Sequence, residues 1–263
     1  MSKDSTTRTF IVAAVLCIVC SILVSGSAVS LKPRQLENQK LDVKKNLLLA
    51  CNLIKNKNAS KEEIEDAFKD IDTKIIDLET GLITTSIDVE SYNQSKASKN
   101  PETSIVIPAK KDLAGIKRRE KFSKVFFVKG PSTGAIKLIV LPIYGKGLWS
   151  TLYAFMAISA DTKLVKGLGF YQHGETPGLG GEIENPKWTA LWNDKVIFDE
   201  IFQPALKVVK GQALASSSNI QHEIDGLSGA TITSNGVTAL VKYWLGDHGF
   251  GPYLANLRNE GGP

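Results

Sequence analysis

The 263-residue sequence has few of the residues that bind metals or cross-link a fold, with only three cysteines and three histidines. None of their spacings matches a zinc site or an iron–sulfur cluster. Cys17 and Cys20 lie in an apolar stretch, and Cys51 stands alone in the polar remainder. The sequence therefore predicts neither a metal centre nor a disulfide within the outer part of the chain.

The sequence also lacks a strong excess of charge. Its 32 basic and 27 acidic residues give a net charge of +5, which is too small and too evenly spread to indicate nucleic-acid binding. The densest basic cluster, 117–119, is interpreted as a solvated turn before a strand. No Gly-x-Gly-x-x-Gly lies between a strand and a helix, so the chain is not expected to bind NADH itself.

One long hydrophobic run is present near the N-terminus. No charged residue lies between Arg8 and Lys32, and residues 10–31 are long and apolar enough to span a bilayer as one helix, after a short N-terminus of residues 1–9. The small residues at 25–28 leave a cleaved signal peptide as the alternative. The run is long for a signal peptide, so a retained anchor is preferred.

The next segment, residues 32–110, is predicted to be helical with one polar loop. An apolar stripe at helical spacing predicts a first helix of core-packing residues, and Ser60 with Glu63 forms a capping box for a second helix. Residues 84–104 are polar and are interpreted as a loop. The stripe consists of Leu36, Val43, Leu47, Cys51 and Ile54.

The C-terminal part, residues 111–263, is rich in strand signals. Four short β-prone runs follow one another without helices between them, so the sheet is expected to be antiparallel and the fold class α+β. Asn185 before Pro186 predicts a helix start, with helices flanking a twisted sheet. The runs are 125–128, 136–140, 153–158 and 164–171.

The segment 225–236, with the sequence DGLSGATITSNG, is the most informative part of the chain. Apolar residues recur at helical spacing after it, so a helix is predicted to begin near Ser234 or Asn235, just after Thr231. The amides of a helix N-terminus favour a phosphate, and the glycines allow a ligand close to the backbone. The alternative is an ordinary Ser/Thr-rich capping loop.

Three motifs in one order carry a family resemblance. Asp225-x-x-Ser228-Gly229-Ala230-Thr231 resembles the flavinylation motif of the FMN-binding domains of membrane redox complexes, and GETPGLGG at 174–181 and GKGLWS at 145–150 resemble two further elements of those domains. The resemblance implies an N-terminal transmembrane helix followed by an FMN-binding domain. It also implies one FMN per chain, bound covalently through a phosphoester to Thr231.

The same resemblance suggests further cofactor-binding residues and no catalytic acid or base. Taken alone, Trp149 would be interpreted as a core residue, and Glu175 would be uninformative. As part of the motifs, Trp149 belongs to a loop whose backbone contacts FMN, and Glu175 accepts hydrogen bonds from FMN. His173 is interpreted as an exposed histidine without a special role. Asp225 either fixes the turn or is recognised by the enzyme that attaches the flavin. The implied cofactor-binding residues are Ser228, Gly229, Ala230, Glu175, Thr176, Gly178, Leu179, Leu148 and Trp149.

Within that family, the residues 184–188 and 244–246 are most similar to the C subunits of Na+-translocating NADH:quinone reductases. This implies an electron-transfer subunit on the path to quinone, in a bacterial inner membrane, with its soluble domain in the periplasm. Basic residues after the span favour the opposite orientation.

The implied partners are other reductase subunits, membrane lipid and a flavin transferase that uses FAD. The alternatives are an Rnf-type, ferredoxin-coupled subunit and a non-redox, membrane-anchored envelope module.

Overall fold

The computed structural model describes residues 6–54, 58–130 and 134–259. Its contacts divide the chain into two units, residues 1–43 and residues 44–263. The helices are α1 (Thr6–Ala50), α2 (Lys61–Phe68), α3 (Gln94–Lys99), α4 (Pro186–Thr189), α5 (Thr231–Leu245) and α6 (Gly251–Asn259). The longer strands are β1 (Ile71–Asp77), β5 (Phe122–Lys129), β6 (Ile136–Lys146), β7 (Thr151–Ser159) and β8 (Val165–Gln172). The short strands are β2 (Ile83–Thr84), β3 (Ser104–Val106), β4 (Arg118–Glu120), β9 (Lys207–Val208) and β10 (Glu223–Ile224).

The first unit consists of most of α1, a 45-residue helix that contains Pro33 and continues to Ala50. The predicted membrane span and the helix expected after Pro33 are thus one helix. The most apolar 18-residue window of α1 has a mean hydropathy of 2.6, and no part of it is buried in the protein. Length and hydropathy are sufficient for one membrane crossing. Leu36 is exposed here, so the prediction of core packing was wrong for it.

The second unit is built on a six-stranded sheet with the order β2-β1-β5-β6-β7-β8, in which every neighbouring pair is antiparallel. The α+β prediction is confirmed, and the four predicted runs lie within β5 to β8 or directly beside them. A small parallel pair, β9 with β10, was not predicted. Short connections between β5, β6, β7 and β8 allow only hairpin pairing, which is why the antiparallel prediction succeeded.

Both faces of the sheet are covered. The main core includes most of the apolar residues of α5, among them Leu240, Val241 and Trp244. The C-terminal end of α1 packs closely on β8, since a Cβ on Gly167 would lie 1.9 Å from the carbonyl oxygen of Ala50. Leu47 and Cys51 of the predicted stripe are buried, as expected.

Two predicted loops are more ordered than expected. The polar region 84–104 contains α3, because the Asn93 side chain accepts a hydrogen bond from the amide of Lys96 and caps the helix. The basic cluster is not a solvated turn: residues 118–120 form β4, and Arg119 is buried with its Nη1 donating to the carbonyl of Glu120 at 2.8 Å. The caps predicted at Ser60 and Asn185 are both present.

Candidate functional site

Three segments that are distant in sequence meet at one end of the sheet. They are the turn between β6 and β7 (147–150), the loop after β8 (173–181) and the first turn of α5. Two glycines permit this approach, since a Cβ on Gly147 would lie 2.6 Å from Glu175 Oε1 and one on Gly180 would lie 2.6 Å from Thr233 Oγ1. Any larger residue would push the segments apart. All three motifs of the sequence resemblance contribute to this junction.

The carboxylate of Glu175 joins the three segments. Its Oε1 accepts hydrogen bonds from the amides of Trp149 (2.9 Å) and Ser150 (3.2 Å). Its Oε2 accepts from the amide of Leu148 (3.2 Å) and from the hydroxyl of Thr233 (2.7 Å). The side chain thus holds three consecutive amides of one loop and the first turn of a helix 58 residues away in sequence.

Glu175 is only 5% exposed, yet it is held in its charged form. Burial raises the pKa of its carboxyl, but the bonds from Thr233 and from the amides of residues 148–150 lower it more, so the net pKa is below its ordinary value. Consecutive amides that point at one oxygen pair form an anion-binding nest. The junction therefore contains a fixed negative charge at neutral pH.

Helix α5 begins earlier than predicted. Thr231 is its first residue, and the expectation that the helix starts near Ser234 or Asn235 was wrong. The Ser234 hydroxyl does not cap a helix; it accepts a hydrogen bond from the amide of Leu227 at 3.2 Å and ties the preceding turn to the helix. The segment TITS is therefore the first turn of α5, despite two β-branched threonines and an isoleucine, because buried contacts outweigh weak helix propensity.

The N-terminus of α5 has no side-chain cap. The N-cap residue is Ala230, which has no side-chain acceptor for the amides of the first turn. The preceding residues Ser228 and Gly229 are exposed, and Gly229 has a φ of +69° that suits a glycine. Thr231 is also exposed. This leaves an accessible hydroxyl beside helix amides that favour an anion.

Exposed apolar side chains lie on the segments that meet at this N-terminus. We define the rim as Leu148, Trp149, Leu179 and Ile232, whose side chains are 40%, 67%, 44% and 59% exposed. Trp149 is not a core residue, so the interpretation of that residue taken alone was wrong. Leu179 lies close to the turn before α5, since a Cβ on Gly229 would be 2.9 Å from its Cδ2. Four exposed apolar side chains on segments that meet beside an exposed hydroxyl can receive a flat aromatic group.

The remaining predicted residues have clear positions. Thr176 and Gly178 are exposed in the loop between Glu175 and Gly180, where the Thr176 carbonyl accepts from the amide of Gly181 at 2.9 Å. His173 is half-buried rather than exposed. Its Nδ1 accepts from the amide of Glu175 at 3.1 Å, and its Nε2 lies 2.8 Å from Glu184 Oε1. The histidine thus supports the loop.

Asp225 links the segment before α5 to two other parts of the chain. Its Oδ1 accepts from the amide of Ala213 at 2.8 Å, and its carbonyl accepts from Trp188 Nε1 at 2.8 Å. Among residues that the sequence analysis did not assign to the site, Thr233 and Ile232 are part of it. Both residues would have been identified if the start of α5 had been predicted a few residues earlier, because they would then lie in the first turn of the helix, next to Thr231.

Comparison with known proteins agrees with this geometry. Residues 147–246 match the model of the FMN-binding domain family, and this range contains all three segments of the junction. The class of protein is therefore an FMN-binding domain carried on a long apolar N-terminal helix.

Full-length relatives make the assignment more specific. The chain is 45% identical over 258 residues to the C subunit of the Na(+)-translocating NADH-quinone reductase of Pseudomonas aeruginosa, covering 98% of both chains. It is 44% identical over 258 residues to the protein of the same name from Yersinia pestis, covering 98% of this chain and 95% of the relative. The crystal structure of Shewanella oneidensis NqrC matches with a TM-score of 0.76 and 35% identity, over 84% of this chain and 99% of that one. The chain belongs to the family formed by the C subunits of Na+-translocating NADH-quinone reductases.

Proposed function

We propose that this chain is the electron-carrying subunit of a membrane-bound Na+-translocating NADH:quinone reductase and that it holds one FMN through a phosphoester on Oγ1 of Thr231. The observation that carries the proposal is the exposed Thr231 hydroxyl at the uncapped N-terminus of α5, inside the matched FMN-binding domain. A phosphoester requires a hydroxyl, and the helix N-terminus favours the phosphate charge.

The neighbouring hydroxyls are less suitable for attachment. Thr233 is 1% exposed and donates to Glu175, while Ser234 is 4% exposed and accepts from Leu227. Both hydroxyls are engaged and inaccessible to a flavin transferase. These contacts favour Thr231, whose side chain is exposed.

The surroundings of Thr231 also fit the flavin ring. The rim of Leu148, Trp149, Leu179 and Ile232 offers apolar contact to a ring tethered at the helix start. When bound, FMN supplies the group that accepts and passes on electrons. The protein's residues hold the phosphate, orient the ring and set the local charge. No proton donor or acceptor on this chain is needed for that role.

The rest of the proposal concerns the complex. We infer that residues 10–31 of α1 anchor the chain in the bacterial inner membrane, with the outer domain, residues 32–263, in the periplasm. The apolar side chains of this part of α1 are exposed along the helix, as they are on a surface in contact with lipid. The proposed partners are the other reductase subunits, which couple electron transfer toward quinone to Na+ export, and a flavin transferase that uses FAD.

The test is direct. The full chain, produced with the transferase, is denatured in SDS, separated on a gel and examined under ultraviolet light, and the labelled peptide is identified by mass spectrometry. Yellow fluorescence on the band and FMN on a peptide that contains Thr231 are expected. Absence of covalent flavin, or flavin on a peptide that lacks Thr231, contradicts the proposal.

A further inference from the structure

We propose that Glu175 is the positioning residue of the flavin site: it does not bind FMN, but orders the 148–150 loop against α5 and lowers the reduction potential of the flavin by its fixed charge. This rests on the proposed function. The sequence motif suggested instead that Glu175 accepts hydrogen bonds from the flavin.

The carboxylate of Glu175 has a limited capacity to accept hydrogen bonds. A carboxylate has about four lone-pair sites on its two oxygens. Oε1 already accepts from two amides, and Oε2 accepts from one amide and from Thr233. With four donors in place and the side chain 5% exposed, Glu175 has no accessible lone pair for a flavin hydroxyl or ring nitrogen.

The four hydrogen bonds to Glu175 organise the loop 148–150 and the first turn of α5. The amides of residues 148–150 belong to the turn that presents Leu148 and Trp149, two of the four rim residues, to solvent. Thr233 lies in the first turn of α5, two residues after Thr231. Glu175 therefore fixes the side chains that would contact the ring relative to the residue that would carry it. A second contact, from the Gly174 amide to Ser150 Oγ at 2.6 Å, joins the same two loops.

The negative charge of Glu175 is not neutralised by its partners. All four donors to Glu175 are neutral groups, so they stabilise the negative charge without cancelling it. A charge in a site of low solvent exposure acts more strongly on its neighbours than one in water. Addition of an electron to a ring bound in this site places like charges close together. A carboxylate at Glu175 should therefore make the flavin harder to reduce.

The experiment compares three variants of the full chain in detergent. Glu175→Gln keeps the shape but removes the charge and part of the acceptor capacity. Thr233→Val removes the hydroxyl and keeps the charge. Glu184→Gln is the matched control, because it removes a carboxylate from the same region whose side chain is 49% exposed and whose Oε1 lies 2.8 Å from His173 Nε2.

Two measurements are made on each variant. Hydrogen exchange of peptides that span 147–152 is followed by mass spectrometry on protein produced without the transferase, and the midpoint potential of the flavin is measured on labelled protein. Glu175→Gln should accelerate the exchange and shift the midpoint potential to more positive values, by clearly more than Glu184→Gln does. Thr233→Val should accelerate the exchange to a smaller extent and leave the potential close to wild type.

Each outcome is informative. Unchanged exchange in Glu175→Gln overturns the ordering role, and if Glu175→Gln fails to fold, unchanged exchange in Thr233→Val overturns it instead. A midpoint potential that moves no more in Glu175→Gln than in Glu184→Gln overturns the electrostatic role. Failure of the proposed function is distinct, because the wild-type chain would then carry no flavin at Thr231 while the exchange comparison would still stand.

Discussion

Two buried carboxylates, Glu175 in the site and Glu120 in β4, show how differently this fold treats the same side chain. Glu175 accepts three backbone amides and one hydroxyl, and its pKa is lowered. Glu120 is fully buried, and its side chain accepts from Gln94 Nε2 (2.5 Å) and the hydroxyl of Tyr144 (2.6 Å). Burial raises the pKa of Glu120 to about 7, although these bonds and the charge of Arg119 act in the opposite direction.

The difference comes from the backbone around each residue. Consecutive amides are free to converge on an anion only in a turn such as 147–150, whereas the amides of paired strands are used in the sheet. Burial alone therefore does not determine charge. Burial and hydrogen-bond donors act in opposite directions on both carboxyls: the donors outweigh burial at Glu175, whose pKa is lowered, and burial outweighs the donors at Glu120, whose pKa is raised.

The largest expected difference between the two regions concerns the flavin. Thr231→Ala should abolish covalent labelling completely, because alanine has no oxygen to form the phosphoester. Glu120→Gln, in the other region, should leave labelling at the wild-type level. In-gel fluorescence relative to total protein measures both.

Folding must be checked for the same variants. Thr231 is exposed, so its change to alanine should alter the free energy of unfolding by less than about 0.5 kcal/mol. Covalent flavin in Thr231→Ala would contradict the proposed attachment site. Loss of flavin in Glu120→Gln would show that the two regions are coupled, and would contradict the view that Glu120 has no part in the flavin site.

The next largest effect is the pH dependence of stability. The carboxyl of Glu120 has a pKa of about 7 in the folded protein against an ordinary value of 4.5, so the folded state holds its proton more tightly than the unfolded state. The contribution of Glu120 to stability should be greatest below about pH 4.5 and be lost as the pH rises through about 7, a loss of about 3 kcal/mol. Thermal unfolding across this pH range, compared with Glu120→Gln, isolates the contribution.

The glutamine variant should lack this part of the slope, because its side chain does not titrate. At pH 8 it should be at least as stable as the wild type, since no buried charge remains. Identical slopes for the two proteins would show that Glu120 does not carry a raised pKa. The carboxyl of Glu175, with its lowered pKa, should act in the opposite sense and stabilise the protein above its unfolded pKa.

A smaller effect is expected from the hydrogen bond between Thr233 and Glu175. Thr233→Val conserves shape and removes one of four donors to a buried charge, which should cost about 2 kcal/mol. The midpoint of thermal unfolding should fall by roughly 4–8 °C for a unit of this size. Thr231→Ala serves as the control, since it changes a threonine two positions away that is exposed. Equal midpoints for the two variants would show that the bond contributes little.

The two regions also differ in what could be predicted from the sequence. Local sequence patterns were sufficient to predict the antiparallel strands β5 to β8 and the helix cap at Asn185. Short motifs were sufficient to predict the protein family. Each of these predictions rests on residues that are close together in the sequence. Local patterns were insufficient for the start of α5, where residues 231–234 resemble a loop by propensity and become helical through buried contacts.

Long-range partners were also beyond local patterns. The bond between Glu175 and Thr233 joins residues 58 positions apart, and the burial of Arg119 depends on its position in β4 rather than on its basic neighbours. The glycines at 147 and 180 were visible as motif positions. The reason why glycine is needed there is visible only in the folded chain: an added Cβ would lie 2.6 Å from a Glu175 carboxylate oxygen at position 147 and 2.6 Å from the Thr233 hydroxyl at position 180.

The smallest effect is expected for Thr231→Ser. Serine keeps the oxygen that forms the phosphoester and loses only a methyl group at an exposed position, so part of the wild-type labelling should remain and stability should not change measurably. The serine and alanine variants thus differ in one oxygen atom, and their fluorescence per chain should differ accordingly. Serine labelling as low as that of alanine would mean that the threonine methyl is required for transfer, and the hydroxyl alone would then not explain the choice of Thr231. Labelling above the alanine background would show that the accessible oxygen at the start of α5 is the group that accepts the flavin.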